Sequence, residues 1–303
     1  MAERMANTAG GVSIVGFDSA WTDSLTAPGA LSVIRIDGDG RRTFEPPALV
    51  SFDQAVAVIE AETAPLRVVA LDQPTIVPNP TGMRPVDRVA ASVVSWLGGG
   101  VQPANRAKIG MFDDAAPLWR FKARLGAAED PEASRVATAG LFLMEVFPAL
   151  ALASLDPSFC GRRLGPRYNP ARRKTFTLAG WQGVVGTVRR LAEREAVGGL
   201  ATWADDLARV PTPRKADQDR LDAILCALIG LHWLTAPRDV SIMIGDRVSG
   251  YMIAPANPEV RARLTGAAAI CGVPIDGDRD ARPSQVRPGA TGDQRGRPRP
   301  SQG

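Results

Sequence analysis

The chain has 303 residues, of which 45% are hydrophobic, so it can bury a substantial core within one large domain. Its formal net charge is +4, and residues 276–303 contribute +2 of this through six Arg and four Asp. The small excess on the rest of the chain excludes a surface that is basic all over, although it leaves room for a local basic patch.

The number and spacing of the cysteines and the length of the apolar runs indicate in which cellular compartment the protein is expected. Cys160, Cys226 and Cys271 are odd in number, far apart and without CxxC spacing, which supports neither a disulfide framework nor a thiolate zinc site. The N-terminal sequence MAERMANTAGG lacks an apolar signal core, and no apolar run is long enough to span a bilayer. We therefore expect a cytoplasmic protein with no membrane partner.

The first quarter of the chain predicts strand, strand, strand, helix, strand. The predicted strands are residues 11–17, 30–36, 41–45 and 67–71, and the predicted helix is residues 52–63. Asp37-Gly38-Asp39-Gly40 between the second and third strands is strong hairpin turn chemistry, which predicts an antiparallel start. The helix leads into the fourth strand as a crossover leads into a parallel strand.

The remainder alternates helical and strand patterns. Residues 74–110 are rich in Pro and Gly, with a short helical stretch near 86–97, and a strand over 141–147 stops at Pro148. Further helices are expected near 175–195, 200–208, 217–235 and 257–269. The segments SIMIGD and GYMIAP predict a late hairpin. We expect a flexible N-terminus over 1–10, one domain over 11–275 with an inserted lid at about 74–139, and a disordered Arg/Pro/Gly tail over 276–303.

Acidic residues follow two of the apolar strands. Asp18 ends the run GVSIVGF and Asp72 ends RVVAL. Carboxylates at the ends of neighbouring parallel strands lie side by side, and together they can bind Mg²⁺ or Mn²⁺. The alternative is that each Asp is a turn residue that accepts hydrogen bonds from local backbone amides.

Three further acidic residues could join this pair. Asp219 and Asp222 are three residues apart and share one helical face, although helix capping alone could explain Asp219. Glu145 stands within the apolar segment GLFLMEVF, and a solvated side of the strand is the alternative there.

A basic run is the candidate nucleic-acid interface. Its cations could neutralise phosphates while a tyrosine among them stacks on a base, unless the run is simply a solvated loop. The run comprises Arg162, Arg163, Arg167, Tyr168, Arg172, Arg173 and Lys174. In the segment GMRPVDR, Arg84, Asp87 and Arg88 could contact phosphate or form a surface ion pair.

Other chemistries are poorly supported. The one histidine, His232, lies in the apolar segment ILCALIGLHWL and is more typical of a core residue than of a catalytic base. The sequence contains no GxxxxGK[ST] phosphate loop.

The order of the segments GFDSAW, ALDQP, MEVFPA and DRLDAILCAL resembles the domain-of-unknown-function 429 family (DUF429), whose members are predicted ribonuclease H-like nucleases. The resemblance covers roughly residues 12–256. It implies that Asp18, Asp72, Glu145 and Asp222 are the catalytic, metal-binding cluster, with Asp219 as a further ligand. It also implies an α/β fold with a mixed five-stranded sheet in the order 3-2-1-4-5 and helices on both faces.

The leading hypothesis is hydrolysis of phosphodiester bonds by a two-metal mechanism, with nucleic acid as the partner. In it Asp18 bridges two cations, Asp72 and Asp222 each bind one, and Glu145 completes the shell or orients water. One alternative is a phosphotransferase of the actin and sugar-kinase kind, although Trp21 stands where a Gly-rich phosphate loop is needed. The other is a non-catalytic nucleic-acid-binding or scaffold protein.

Overall fold

The computed structural model of the protein describes residues 11–24, 26–159 and 167–277. Within them the strands are β1 (Val12–Asp18), β2 (Gly29–Ile36), β3 (Arg42–Val50), β4 (Leu66–Leu71), β5 (Gly140–Glu145), β6 (Val197–Gly198), β7 (Ser241–Asp246) and β8 (Gly250–Pro255). One sheet has the order β5-β4-β1-β2-β3-β6, and β7 and β8 form a separate hairpin.

The sheet is mixed. β1 pairs antiparallel with β2 and parallel with β4, and β4 pairs parallel with β5. The predicted α/β class and the order 3-2-1-4-5 are confirmed for the first five strands. The sixth, β6, has two residues beside β3, too few for a recognisable pattern in the sequence.

The helices of the described residues are α1 (Phe52–Ala61), α2 (Pro85–Val94), α3 (Pro117–Leu125), α4 (Pro131–Ser134), α5 (Pro148–Leu155), α6 (Leu178–Arg194), α7 (Leu200–Ala208), α8 (Lys215–Thr235) and α9 (Pro258–Cys271). α3, α4 and α5 were not predicted. Pro148 does stop the predicted strand, but it also begins α5, because proline is well suited to the first position of a helix.

The side chains of β1 point alternately to the two faces of the sheet, and this alternation divides the core into two layers. Val12 and Ile14 pack in a cluster with residues of α6 and α8, whereas Val15 and Phe17 pack on the other face with residues of α1 and α3. Helices therefore cover both faces of the sheet, as predicted.

Two glycines let α8 lie directly against β1. A Cβ on Gly16 would stand 2.0 Å from the carbonyl oxygen of Ala223, and one on Gly230 would stand 2.8 Å from Cγ2 of Ile14. The first of these contacts holds the N-terminal half of α8 close to the carboxyl end of β1.

The predicted insertion at 74–139 contributes to the core. Phe121 of α3 packs against Phe17 and Phe52, with ring centroids 5.6 and 5.1 Å apart. α2 forms a third cluster with α9 and the β7–β8 hairpin. The predictions for residues 1–10 and for nearly all of the tail lie outside the described residues. Among the helices described, none is long and apolar enough to cross a membrane.

Candidate functional site: an acidic cavity at the strand ends

The ends of β1 and β4 bring Asp18 and Asp72 together. Phe17 is in register with Leu71, and the amide of Asp72 donates to the carbonyl of Phe17 at 2.9 Å, so the pairing continues past β4. Side chains alternate along a strand, which places both aspartates on the face that α8 covers. Both line a cavity of about 390 Å³.

The first turns of α8 supply the third aspartate. Lys215, Gln218 and Asp222 follow helical spacing, and all three line the same cavity. Asp222 is 4% exposed. Its Oδ1 accepts a hydrogen bond from the Tyr168 hydroxyl at 2.8 Å, and its Oδ2 accepts one from the Gln218 amide. These two donors fix the carboxylate of Asp222 in the cavity.

The three aspartates disfavour one another's ionisation. Burial, reinforced by the charges of Asp222 and Asp72, raises the pKa of Asp18 well above its ordinary value. Burial and the charge of Asp222 do the same to the pKa of Asp72, although Asp72 keeps some accessible surface within the cavity. Burial raises the pKa of Asp222 to about 7, against the hydrogen bond from Tyr168. The cavity therefore gathers carboxyl groups that retain protons more readily than usual, because ionising them together is unfavourable without a compensating cation.

Lys215 provides part of the compensation. Burial lowers its pKa, but the charges of Asp18 and Asp219 outweigh this effect and raise it. Its ammonium group pairs with Asp219, four residues further along α8. Asp219 therefore lies near the cluster but is already engaged by a cation. The helix cap is made by Asp217, whose carboxylate accepts from the amide of Arg214 at 2.8 Å.

The donor chemistry at this site fits a hard divalent cation. The ligand atoms are carboxylate oxygens, and the buried Oδ2 of Asp18 has no hydrogen-bond partner among the described residues. The geometry is not that of a ready-made centre: within the described residues, no three His, Cys, Asp or Glu side chains are arranged to hold a metal ion as they stand. Asp18, Asp72 and Asp222 are the residues that would hold a cation in this cavity.

Glu145 lines the same cavity as the three aspartates, and its charge helps to raise the pKa of Asp72, but its carboxylate is paired with an arginine. It is in register with Leu71, one residue before Asp72, so alternation turns its side chain to the opposite face of the sheet. Its two oxygens accept from the guanidinium of Arg84 at 2.6 and 2.9 Å, and Oε2 also accepts from the amide of Thr75. Burial raises its pKa to about 7, although Arg84 opposes this shift.

Arg84 is neither the phosphate contact nor the surface partner that the sequence suggested. It is 0% exposed. Its guanidinium donates to Glu145, to Asp87 and to the carbonyl of Ile76. Every N–H of the group is thereby used, so none is left to donate to a phosphate. Arg84, Asp87 and Glu145 together form part of the cavity lining. Arg88, by contrast, is exposed.

The basic run divides into parts. Arg167 and Arg172 line the cavity, whereas Arg173 and Lys174 are exposed away from it. No ion pair joins these four cations to an acid within the described residues. Arg162 and Arg163 lie outside the described residues.

Tyr168 lines the cavity, and its hydroxyl is bonded to Asp222. It is 8% exposed, so little of its ring is accessible, and its stacking on a base stays a prediction. Its observed contact makes it a positioning residue for the acidic cluster.

His232 and Trp21 bear on two other chemistries considered from the sequence, a catalytic histidine and a phosphotransferase. His232 lies away from the cavity lining, with its Nε2 3.2 Å from the carbonyl oxygen of Val240, and burial lowers its pKa. Trp21 follows β1 with a φ of 57°, and its indole donates to the carbonyl of Asp72. Its ring lines the cavity and packs edge-on against Phe112, with the ring centroids 5.3 Å apart.

Sequence reasoning missed several parts of the cavity. Lys215 and Gln218 share a helical face with Asp222, and that spacing could have identified them. The loop over residues 97–102 carries no such signal, because its place beside the cavity depends on how α2 packs against α9 and β7–β8.

These features define an α/β protein whose mixed sheet carries an acidic, partly basic-walled cavity at the carboxyl ends of its central strands. The family model described as "Protein of unknown function (DUF429)" matches residues 16–241, and the chain belongs to this family. Comparisons with curated proteins and with solved structures gave no significant match.

Proposed function

We propose that the protein is a cytoplasmic, ribonuclease H-like nuclease that hydrolyses phosphodiester bonds with Mg²⁺ or Mn²⁺. The observation that carries the proposal is the set of three aspartates in one cavity, two from strand ends and one from α8, of which Asp18 and Asp222 are buried. Their raised pKa values, and the Oδ2 of Asp18 that has no partner in the described part of the chain, are the properties expected of carboxylates that a divalent cation would compensate.

In this mechanism Asp18, Asp72 and Asp222 would hold the cation. A bound divalent cation at such a site activates water and stabilises the leaving oxygen. Tyr168 and Gln218 fix the carboxylate of Asp222 by donating to its two oxygens. Lys215 balances part of the cluster's charge. Arg167 and Arg172, which have no acidic partner among the described residues, draw the substrate phosphate into the cavity.

Hydrolysis of labelled single-stranded, duplex and branched DNA and RNA in Mg²⁺ and in Mn²⁺ tests the proposal. We expect cleavage by the wild type, and a loss of at least about 100-fold with Asp18→Asn, since the metal-binding carboxylate is removed. Asp239→Asn, at an exposed position outside the cavity lining, is the matched control and should cleave normally. A correctly folded Asp18→Asn protein with full activity would rule out the assignment.

One observation favours a non-catalytic nucleic-acid-binding protein as the second candidate. Lys215 already supplies a cation to the aspartates, so the cluster has partial charge compensation from the chain itself. On this proposal the protein binds nucleic acid through Arg167, Arg172, Arg173 and Lys174 without cleaving it. Binding that is equal with Mg²⁺ and with EDTA, together with no hydrolysis of any substrate, would favour this candidate.

A further inference from the structure

The cavity has a second wall whose chemistry the acidic cluster does not explain. Part of its lining is apolar and comes from Leu97, Val101, Phe147 and Met252. Leu97 and Met252 are almost fully buried, whereas Val101 and Phe147 are half-buried and keep accessible surface. Neither metal binding nor phosphodiester hydrolysis requires an apolar surface here.

Another part of the lining is cationic. Arg167 and Arg172 line the cavity without an acidic partner in the described part of the chain, and Lys215 stands at the aspartates. The cavity therefore offers an apolar surface, arginines that form no ion pair with a described residue, and a carboxylate cluster within one space. A nucleotide combines the matching parts: a flat base with largely apolar faces, and an anionic phosphate.

The size of the cavity restricts how nucleic acid can enter. Its volume of about 390 Å³ is near the lower end of the range for small-molecule sites. A stacked base pair with both of its backbones does not fit such a space, and an enzyme that uses a pocket of this kind acts on single strands or takes a nucleotide out of the stack.

We infer that the cavity binds one unpaired nucleotide, with its base against Val101 and Phe147 and its phosphate between Arg167, Arg172 and the aspartates. This inference rests on the proposed function, and it names the substrate class: single-stranded or frayed nucleic acid rather than the interior of a duplex. The exposed amide of Gln102, at the edge of the apolar wall, can contact the edge of the base.

Calorimetric titration of the full chain in Mg²⁺ tests the base wall without depending on turnover. The probes are deoxyadenosine 5′-monophosphate and 2-deoxyribose 5-phosphate, which has the phosphate and sugar but no base. We expect the nucleotide to bind at least about 10-fold more tightly, since contact between a base and an apolar or aromatic side chain contributes an affinity of this order. Equal affinities, or no binding of the nucleotide, would overturn the inference.

Variants of the wall make the test specific. Val101→Trp should fill the base site and weaken nucleotide binding at least about 10-fold while leaving the sugar phosphate unaffected, and Phe147→Ala should weaken nucleotide binding similarly. Val136→Trp is the matched control, because Val136 is 79% exposed and is not among the cavity-lining residues. Unchanged nucleotide binding in a folded Val101→Trp protein would place the nucleotide elsewhere.

Two longer probes separate a free nucleotide from one within a strand. A single-stranded 12-mer and a covalently closed duplex are titrated alongside the mononucleotide, and each is also incubated with the enzyme in Mn²⁺. Binding and cleavage of the single strand, at least about 10-fold above the closed duplex, is the expected result. Equal binding or cleavage of the closed duplex would overturn the inference and leave the nuclease assignment intact. Nucleotide binding without any cleavage would support the cavity's role and count against the nuclease.

Discussion

Arg84 shows how a single residue can hold the cavity in shape. Its guanidinium is fully buried and pairs with Asp87 and Glu145, each of which is almost fully buried as well. Glu145 belongs to β5 and Asp87 to α2, so the pairing ties the sheet to the helix that leads into the loop over residues 97–102. Removing the cation would leave two carboxylates buried and uncompensated.

We expect Arg84→Met to lower the free energy of unfolding by about 3–5 kcal/mol, which is typical when one partner of a buried ion pair is lost. Urea denaturation measures the change. Arg88→Met, at an exposed position four residues away, should stay within about 0.5 kcal/mol of the wild type. An Arg84→Met protein as stable as the wild type would contradict the idea that Arg84 compensates the two carboxylates.

Tyr168 is the second residue with a defined effect, which is on the pKa of Asp222, because its hydroxyl donates a hydrogen bond to that carboxylate. This hydrogen bond opposes the rise in the pKa of Asp222, so Tyr168→Phe should raise that pKa further. In a pH profile of hydrolysis, the limb that reports ionisation of the cluster should move to higher pH. A profile that falls in amplitude without moving would mean that Tyr168 has only a packing role.

At the scale of elements, the contact between β1 and α8 sets the position of Asp222. Gly16 has no room for a Cβ, since backbone atoms of Ala223 and Ala227 would lie 2.0 and 2.3 Å from it. Backbone cannot yield as a flexible side chain can, so α8 would have to move away from the sheet. Asp222 is the residue before Ala223 and would move with it.

We therefore expect Gly16→Ala to destabilise the protein by about 1–3 kcal/mol, as overpacking does, and to weaken Mn²⁺ binding. Gly266→Ala is the matched control, because Gly266 lies in α9 and an added Cβ would meet no atom of the described residues within 4 Å. The control should be neutral or stabilising by up to about 1 kcal/mol. Normal metal binding in the Gly16→Ala protein would show that the spacing of α8 and β1 does not control the cluster.

For the whole molecule, the cluster makes stability depend on pH. The folded-state pKa of Asp222 is about 7, above its ordinary 3.8, so between these values the folded state binds more protons than the unfolded state. Stability from this source is present at low pH and is lost as pH rises towards and through 7. The pKa of His232 is lowered from 6.5, so below pH 6.5 this residue makes stability rise with pH and opposes the effect of Asp222. The effect of the cluster on stability is therefore best measured between pH 6.5 and 8.

Over this range we expect the metal-free protein to lose stability with a slope of up to about 1.4 kcal/mol per pH unit for each proton involved. Asp222→Asn should flatten the slope, and saturating Mn²⁺ should do the same because the cation replaces the protons. Thermal unfolding at a series of pH values, with and without Mn²⁺, measures both effects. A metal-free protein whose stability is constant from pH 6.5 to 8 would contradict the electrostatic description.

The sequence predicted most of the sheet and part of the site. Compact apolar runs bounded by Gly, Pro and Asp identify β1, β4 and β5, and an acid at the end of a run identifies Asp18 and Asp72. Glu145 does line the cavity, but the face of the sheet on which it lies was not predicted, because β4 and β5 are buried on both faces. Their apolar runs do not reveal register, and a shift of one residue turns a side chain to the other face. The partnership of Arg84 and Glu145, 61 residues apart, leaves no local signal.

A manganese titration of the full chain, followed by electron paramagnetic resonance, tests most directly whether the aspartates jointly bind a divalent cation. At pH 7.5 we expect the wild type to bind Mn²⁺ at this cluster, Asp18→Asn to lose that binding, and Asp239→Asn to retain it. Loss of Mn²⁺ binding in Asp18→Asn alone would support the acidic cavity as the metal centre. No Mn²⁺ bound by the wild type, or equal binding by all three proteins, would contradict it.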